Sequence, residues 1–140
     1  MEEWKREIDD FFKEKEKKNI EKEVQIEQKK LDIQHFYSSK VIPAFEELKT
    51  ELERHGRKVG LVKLEDYASI TVTYEGIEEI NYAIEVRGRV PYPEITLIER
   101  SGKRQMVEGT FRVGTQGFDV LDVSKEEIIR HFLNKYKSYI

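Results

Sequence analysis

One heptad register runs through Ile20, Val24, Glu27, Leu31, Gln34, Ser38, Val41, Phe45, Leu48 and Leu52, in steps that alternate four and three residues as a helix seam requires. At 1.5 Å per residue such a helix is roughly 50 Å long. A compact domain built from the remaining ~85 residues has a diameter of about 30 Å. Part of the helix is therefore expected to overhang the domain, and an overhanging apolar seam needs a partner.

The flanks of the seam divide it. Between 35 and 52 they are apolar or small (Tyr37, Ile42, Ala44), the wide stripe of a helix lying on a globular core. Between 20 and 34 they are Glu21, Glu23, Gln28 and Lys30, the narrow stripe of a coiled coil. The later part is expected to dock on the domain and the earlier part to project. Pro43 lies off the seam, where it either kinks the helix or marks the first turn of a new one after Ser38-Ser39. Upstream, Trp4, Ile8, Phe11 and Phe12 form another helical stripe, displaced by two residues from the seam. That offset predicts a break near Asn19 and a helical hairpin, with Phe12, Ile8 and Trp4 opposite Ile26, Ile33 and Phe36.

Composition changes at Gly56: all eight glycines lie there or later, with most of the β-branched residues. The chain thus reads as a helical arm over 1-56, docking through 35-55, and an α+β domain over 57-140. Gly56 stands at a helix C-terminus that needs a left-handed residue. From 57 onward the period falls to two. Ala68, Ile70, Val72 and Tyr74 form one alternating run and Ile80, Tyr82, Ile84 and Val86 another, joined by a tight turn at Glu75-Gly76. Further strands are expected at about 58-64, 94-100, 104-113 and 117-122, and the short connections imply antiparallel neighbours. Ser124-Lys125-Glu126-Glu127 is a capping box, followed by Ile128, Ile129, Phe132, Leu133, Tyr136 and Ile140 on one face of a closing helix. His131 and Lys135, between these apolar positions, are expected to tolerate change.

Chemical signatures are few. Without cysteine there is no disulfide, thiolate zinc site or cysteine nucleophile. The histidines His35, His55 and His131 form no short metal motif; only Glu127 and His131 share a helix turn, and Glu127 already serves the capping box. No metal and no cofactor is expected. Carboxylate neighbours such as Glu78-Glu79, Asp119 with Asp122, and Glu126-Glu127 are what an acidic chain yields by chance, and they read as solvated faces rather than acid-base pairs. Ser101-Gly102-Lys103-Arg104 lacks the rest of a phosphate loop, and Gly109, Gly114 and Gly117 miss the dinucleotide spacing.

A formal net charge of -3 gives no general attraction to nucleic acid or to an anionic membrane. Basic residues do gather in the loops, at Arg54, Arg57 and Lys58, at Arg87 and Arg89, and at Arg100, Lys103 and Arg104, with Tyr92 nearby. Acidic residues balance them over 57-112, so a positive patch would have to be made by folding. The polar face of the Trp4 to Phe12 stripe has the wrong sign for anionic lipid. No run of 18 apolar residues and no signal-peptide pattern occurs, so the chain reads as cytoplasmic.

The expectation is a helical arm, an antiparallel sheet of five or six strands and an amphipathic C-terminal helix. Its role reads as a non-enzymatic interaction or assembly module, a homo-oligomer or the binder of a protein partner. The contact residues would be Trp4, Ile8, Phe11, Phe12, Ile20, Val24 and Leu31. The alternatives are nucleic-acid binding through Arg87, Arg89, Arg100, Lys103 and Arg104, and a small enzyme whose pocket the sequence does not reveal.

Overall fold

The structure is a computed structural model that describes residues 2-98, 103-111 and 118-140. In order come α1 (Glu3–Phe36), a π turn (Tyr37–Val41), α2 (Ile42–Arg54), β1 (Lys58–Lys63), β2 (Ala68–Tyr74), β3 (Ile77–Arg87), β4 (Val90–Ile98), β5 (Arg104–Glu108) and α3 (Lys125–Tyr139). The chain falls into two compact units, Met1–Leu31 and Asp32–Ile140.

The first unit is helix alone. α1 passes through Asn19 without a break, so the hairpin expected from the displaced stripe does not form. No glycine or proline occurs before Pro43, and the Lys and Glu residues around Asn19 are strong helix formers, so nothing local opposes the helix. Phe36, expected to face Trp4 across that hairpin, is instead buried in the core of the second unit.

In the second unit the five strands form an antiparallel meander in the order β1-β2-β3-β4-β5. α2 and α3 pack against each other and on one face of the sheet. Val59, Ile70, Val72, Ile80, Tyr82, Ile84 and Ile95 point into that layer and meet Phe36, Tyr37, Val41, Phe45, Leu48, Ile128 and Phe132. Both hairpins with tight turns obey backbone chemistry. Glu75 and Gly76 both have positive φ, as a type I′ turn requires, and Gly88 alone does so in the Gly88-Arg89 turn between Arg87 and Val90. At the end of α2, Gly56 (φ 81°) lets its own N–H donate to the Glu53 carbonyl and the Arg57 N–H donate to that of Leu52, a Schellman cap.

The heptad seam enters the core at Val41, Phe45 and Leu48 but with a break in its register at Ser38. Ser38, a predicted seam residue, is exposed, whereas Phe36 and Tyr37 are buried. The cause is Pro43, which has no N–H to offer the Ser39 carbonyl and whose ring would crowd it in a regular helix. Widening one turn to i→i+5, seen in the Ile42 N–H to Tyr37 carbonyl bond, absorbs the conflict and shifts the register by one residue. The Ser38 and Ser39 hydroxyls donate to the His35 carbonyl at the same place.

Three strand expectations change. The strand expected over 104-113 is shorter: β5 ends at Glu108, and residues 109-111 are not in a strand. β4 begins at Val90 and so contains Pro91 and Pro93, which pair with Val86 and Ile84 of β3 but lie beyond the stretch of β4 that β5 covers. That is an edge position, where a missing donor costs little. Of the segment expected as a strand at 117-122, residues 118-122 form a turn rather than a strand. Phe118 and Val120, with Val123 just beyond, plug the core while carboxylates cap the turn: Asp119 accepts from the Leu121 N–H and Asp122 from the Asp119 N–H. Residues 112-117 lie outside the described residues.

Candidate functional site

Every described residue from Glu2 to Leu31 is exposed, apolar ones included: Trp4 58%, Phe11 61%, Val24 63% and Ile26 67%. At 100° per residue in an unbroken helix, the Trp4, Ile8, Phe11, Phe12 stripe and the Ile20, Val24, Leu31 stripe point about 150° apart. They are therefore two patches on nearly opposite sides of α1. Phe11 and Phe12 meet edge to face, with ring centroids 5.3 Å apart.

The basic loops are tied to carboxylates. Arg89 reaches Asp119 at 2.5 Å and Asp32 at 2.8 Å, bracing the turn before α3 against the end of α1 within the second unit. Its own N–H group holds the Asp119 carboxyl below the usual carboxylate range. Arg87 reaches Glu108 at 2.6 Å, Glu94 at 3.2 Å and Glu85 at 3.5 Å, and lies over the Tyr92 ring. Arg57 bonds Glu79 and stacks on Tyr74. Lys103 and Arg104 are exposed, and Arg100 lies outside the described residues. Of the basic residues singled out for nucleic acid, Arg87 and Arg89 are thus committed to carboxylates.

Glu85, Arg87, Tyr92, Glu94 and Glu108 come together on the sheet face opposite the helices. Glu94 lies directly across the ladder from Glu108, and Glu85 lies across from Tyr92. A hydrogen bond with Glu85, then burial and the charges of Glu85 and Glu108, push the Glu94 carboxyl up to about 7, although Arg87 opposes them. Glu108 is held below its ordinary value, chiefly by its bond to Arg87. None of the carboxylate neighbours singled out in the sequence takes part. These residues were missed because strand order, not chain spacing, brings 85, 94 and 108 together. Alternation on β3 and β4 placed Glu85 and Glu94 on the outer face, and that was the one available signal.

A second titratable pair lies under α3. The Tyr82 hydroxyl, deeply buried, bonds His131 Nδ1 at 2.7 Å, and Phe111 packs edge to face on the same imidazole. The phenol and Nδ1 share this one hydrogen, and the imidazole tautomer sets which of them donates. His131 is thus a structural partner rather than the tolerant surface residue expected from the sequence. Burial first, then Lys135, push its pKa down to about 4, against Glu127. The unfolded chain therefore binds the proton more readily, and stability should fall as pH drops from about 6.5 to about 4, by about 2 kcal/mol after allowance for partial exposure. Urea unfolding at several pH values, compared with His131→Gln, checks this: the variant should show a flatter acid limb. The comparison isolates His131 from Glu94, whose raised pKa gives the opposite slope over about 4.5 to 7. An identical limb in both proteins would refute the assignment.

Among the described residues no cluster of His, Asp or Glu is arranged to hold a metal ion, and no helix is long and apolar enough to cross a membrane. No protein-family model matches the chain, and no solved structure matches it significantly. A glycine betaine transporter from Acinetobacter baylyi is 24% identical over 116 residues, which cover 79% of this chain. The matched stretch spans only 17% of that transporter's length.

Proposed function

We propose that the chain is a non-enzymatic assembly module that packs α1 residues 3-31 against helices of a protein partner or of further copies of itself. The observation carrying this reading is the pair of apolar patches on nearly opposite sides of an exposed helix. Unpaired, they leave Trp4, Ile8, Phe11 and Phe12 on one side, and Ile20, Val24 and Leu31 on the other, in water. One partner helix covers one side only, so the arrangement fits a bundle with neighbours on both sides better than a two-stranded seam. Glu27, in line with Val24 and Leu31, weakens that seam and favours a defined register over tight association.

Light scattering at tens of micromolar should report more than one chain per particle. The double substitution Val24→Asp and Leu31→Asp should reduce the mass without lowering the melting temperature of the 32-140 unit, because both residues lie outside that unit. A native protein that is a clean monomer at that concentration removes self-assembly. Assembly with a foreign partner then has to be tested by pull-down with a chain lacking residues 2-31 as control.

A further inference from the structure

β5 is one of the sheet's two edge strands and its shortest: five residues long, with Arg104, Gln105, Met106 and Glu108 exposed and only Val107 half-buried. Side-chain burial therefore contributes little to holding it, and what its side chains meet on β4 matters more than usual. At the end of its ladder Glu108 stands directly opposite Glu94, the arrangement that disfavours strand pairing when both are ionised. Glu85 of β3 adds a third carboxyl, and one guanidinium, Arg87, serves all three. Fully ionised, the cluster carries a charge of about -2; one proton on Glu94 halves that and lets the carboxyl donate a hydrogen bond to Glu85.

Among the described residues, other charged or titratable groups are few on this face. Tyr92 lies beneath Arg87, and Arg104 is at the far end of β5 opposite Ile98. β2 contributes only Ser69, Thr71 and Thr73. Asp66 and Tyr67, just before β2, act together with Glu85 and Glu94 on the Tyr37 hydroxyl, which burial raises above its ordinary value. None of these supplies a second cation to Glu94.

We propose that the pairing of β5 with β4 is latched by a proton held on Glu94, and that the edge strand loosens when that proton leaves. The position of the Glu94 carboxyl near 7 puts the transition in the neutral range. The folded latch binds the proton more tightly than an open strand does, so protonation closes it and rising pH opens it.

Amide hydrogen exchange, corrected for the intrinsic pH dependence of exchange, tests this on the full chain between pH 5.5 and 8.5. Protection of residues 104-108 should drop about tenfold across pH 7 while the central strands β2 and β3 keep theirs. Glu94→Gln, a neutral donor of the same shape, should keep β5 protected and independent of pH; Glu108→Gln, which removes the opposing charge, should shrink the drop. Protection of β5 that does not change with pH in the native protein overturns the proposal. So does a drop that persists undiminished in Glu94→Gln, or one shared equally by β2 and β3, which would mark global unfolding.

Discussion

Phe132→Ala is expected to destabilise the 32-140 unit by about 3-5 kcal/mol, a large share of the ~5-15 kcal/mol that holds a typical domain together. Its ring is fully buried between Tyr82, which meets it edge to face at 5.3 Å, and Tyr136, which stacks on it at 5.7 Å. The cavity cannot close easily, because Tyr82 is held in place by His131 and Tyr136 donates to Glu79. Ser124→Ala, at the start of the same helix, removes only the hydroxyl that accepts from the Glu127 N–H and should cost about 1 kcal/mol. Thermal and urea unfolding of the two variants side by side check the ranking. A Phe132→Ala protein that melts with the parent would mean α3 is not part of the core.

α3 was legible in the sequence because local and global signals agree there: the cap, the spacing of Ile128 and Phe132, and the burial all say helix on sheet. The same holds for β2 and β3, whose alternation marks the face turned inward, although a bulge between Val72 and Thr73 shifts by one residue the register that the turn at Glu75-Gly76 begins. The reading failed where one local rule was overridden. Pro91 and Pro93 argued against a strand, yet they sit where β4 has a neighbour on one side only. Phe118 and Val120 are spaced as in a strand, but Asp119 and Asp122 turn the backbone back on itself. The carboxyl cluster was invisible for a different reason. It depends on which strands are neighbours, and chain spacing carries that information only through the meander. His131 was misjudged because helical spacing marks the stripe against the core but not the ring beside it, which reaches Tyr82 from the flank of the stripe.

A single helix also carries the other large contrast. Phe36→Ala should cost about 3-5 kcal/mol, whereas Ile26→Ala, ten residues earlier on the same helix, should leave the melting of the 32-140 unit unchanged at concentrations where the chain is monomeric. Phe36 is 1% exposed and meets Tyr37 edge to face, with centroids 5.4 Å apart; Tyr37 in turn donates to the Ile84 carbonyl on β3 at 2.7 Å, which fixes the ring pair over the sheet. Ile26 belongs to the other compact unit and is two-thirds exposed, so its truncation removes no atoms from a core. Spacing put both residues on one stripe, with Phe36 in the stretch expected to dock and Ile26 in the stretch expected to project. The boundary between the compact units separates them: Ile26 lies before Asp32 and Phe36 after it, in the core, while the π turn begins only after Phe36 and leaves their spacing unchanged. Equal losses from the two substitutions would mean that residues before Asp32 share the core, and the apolar patches on α1 would then need no partner to cover them.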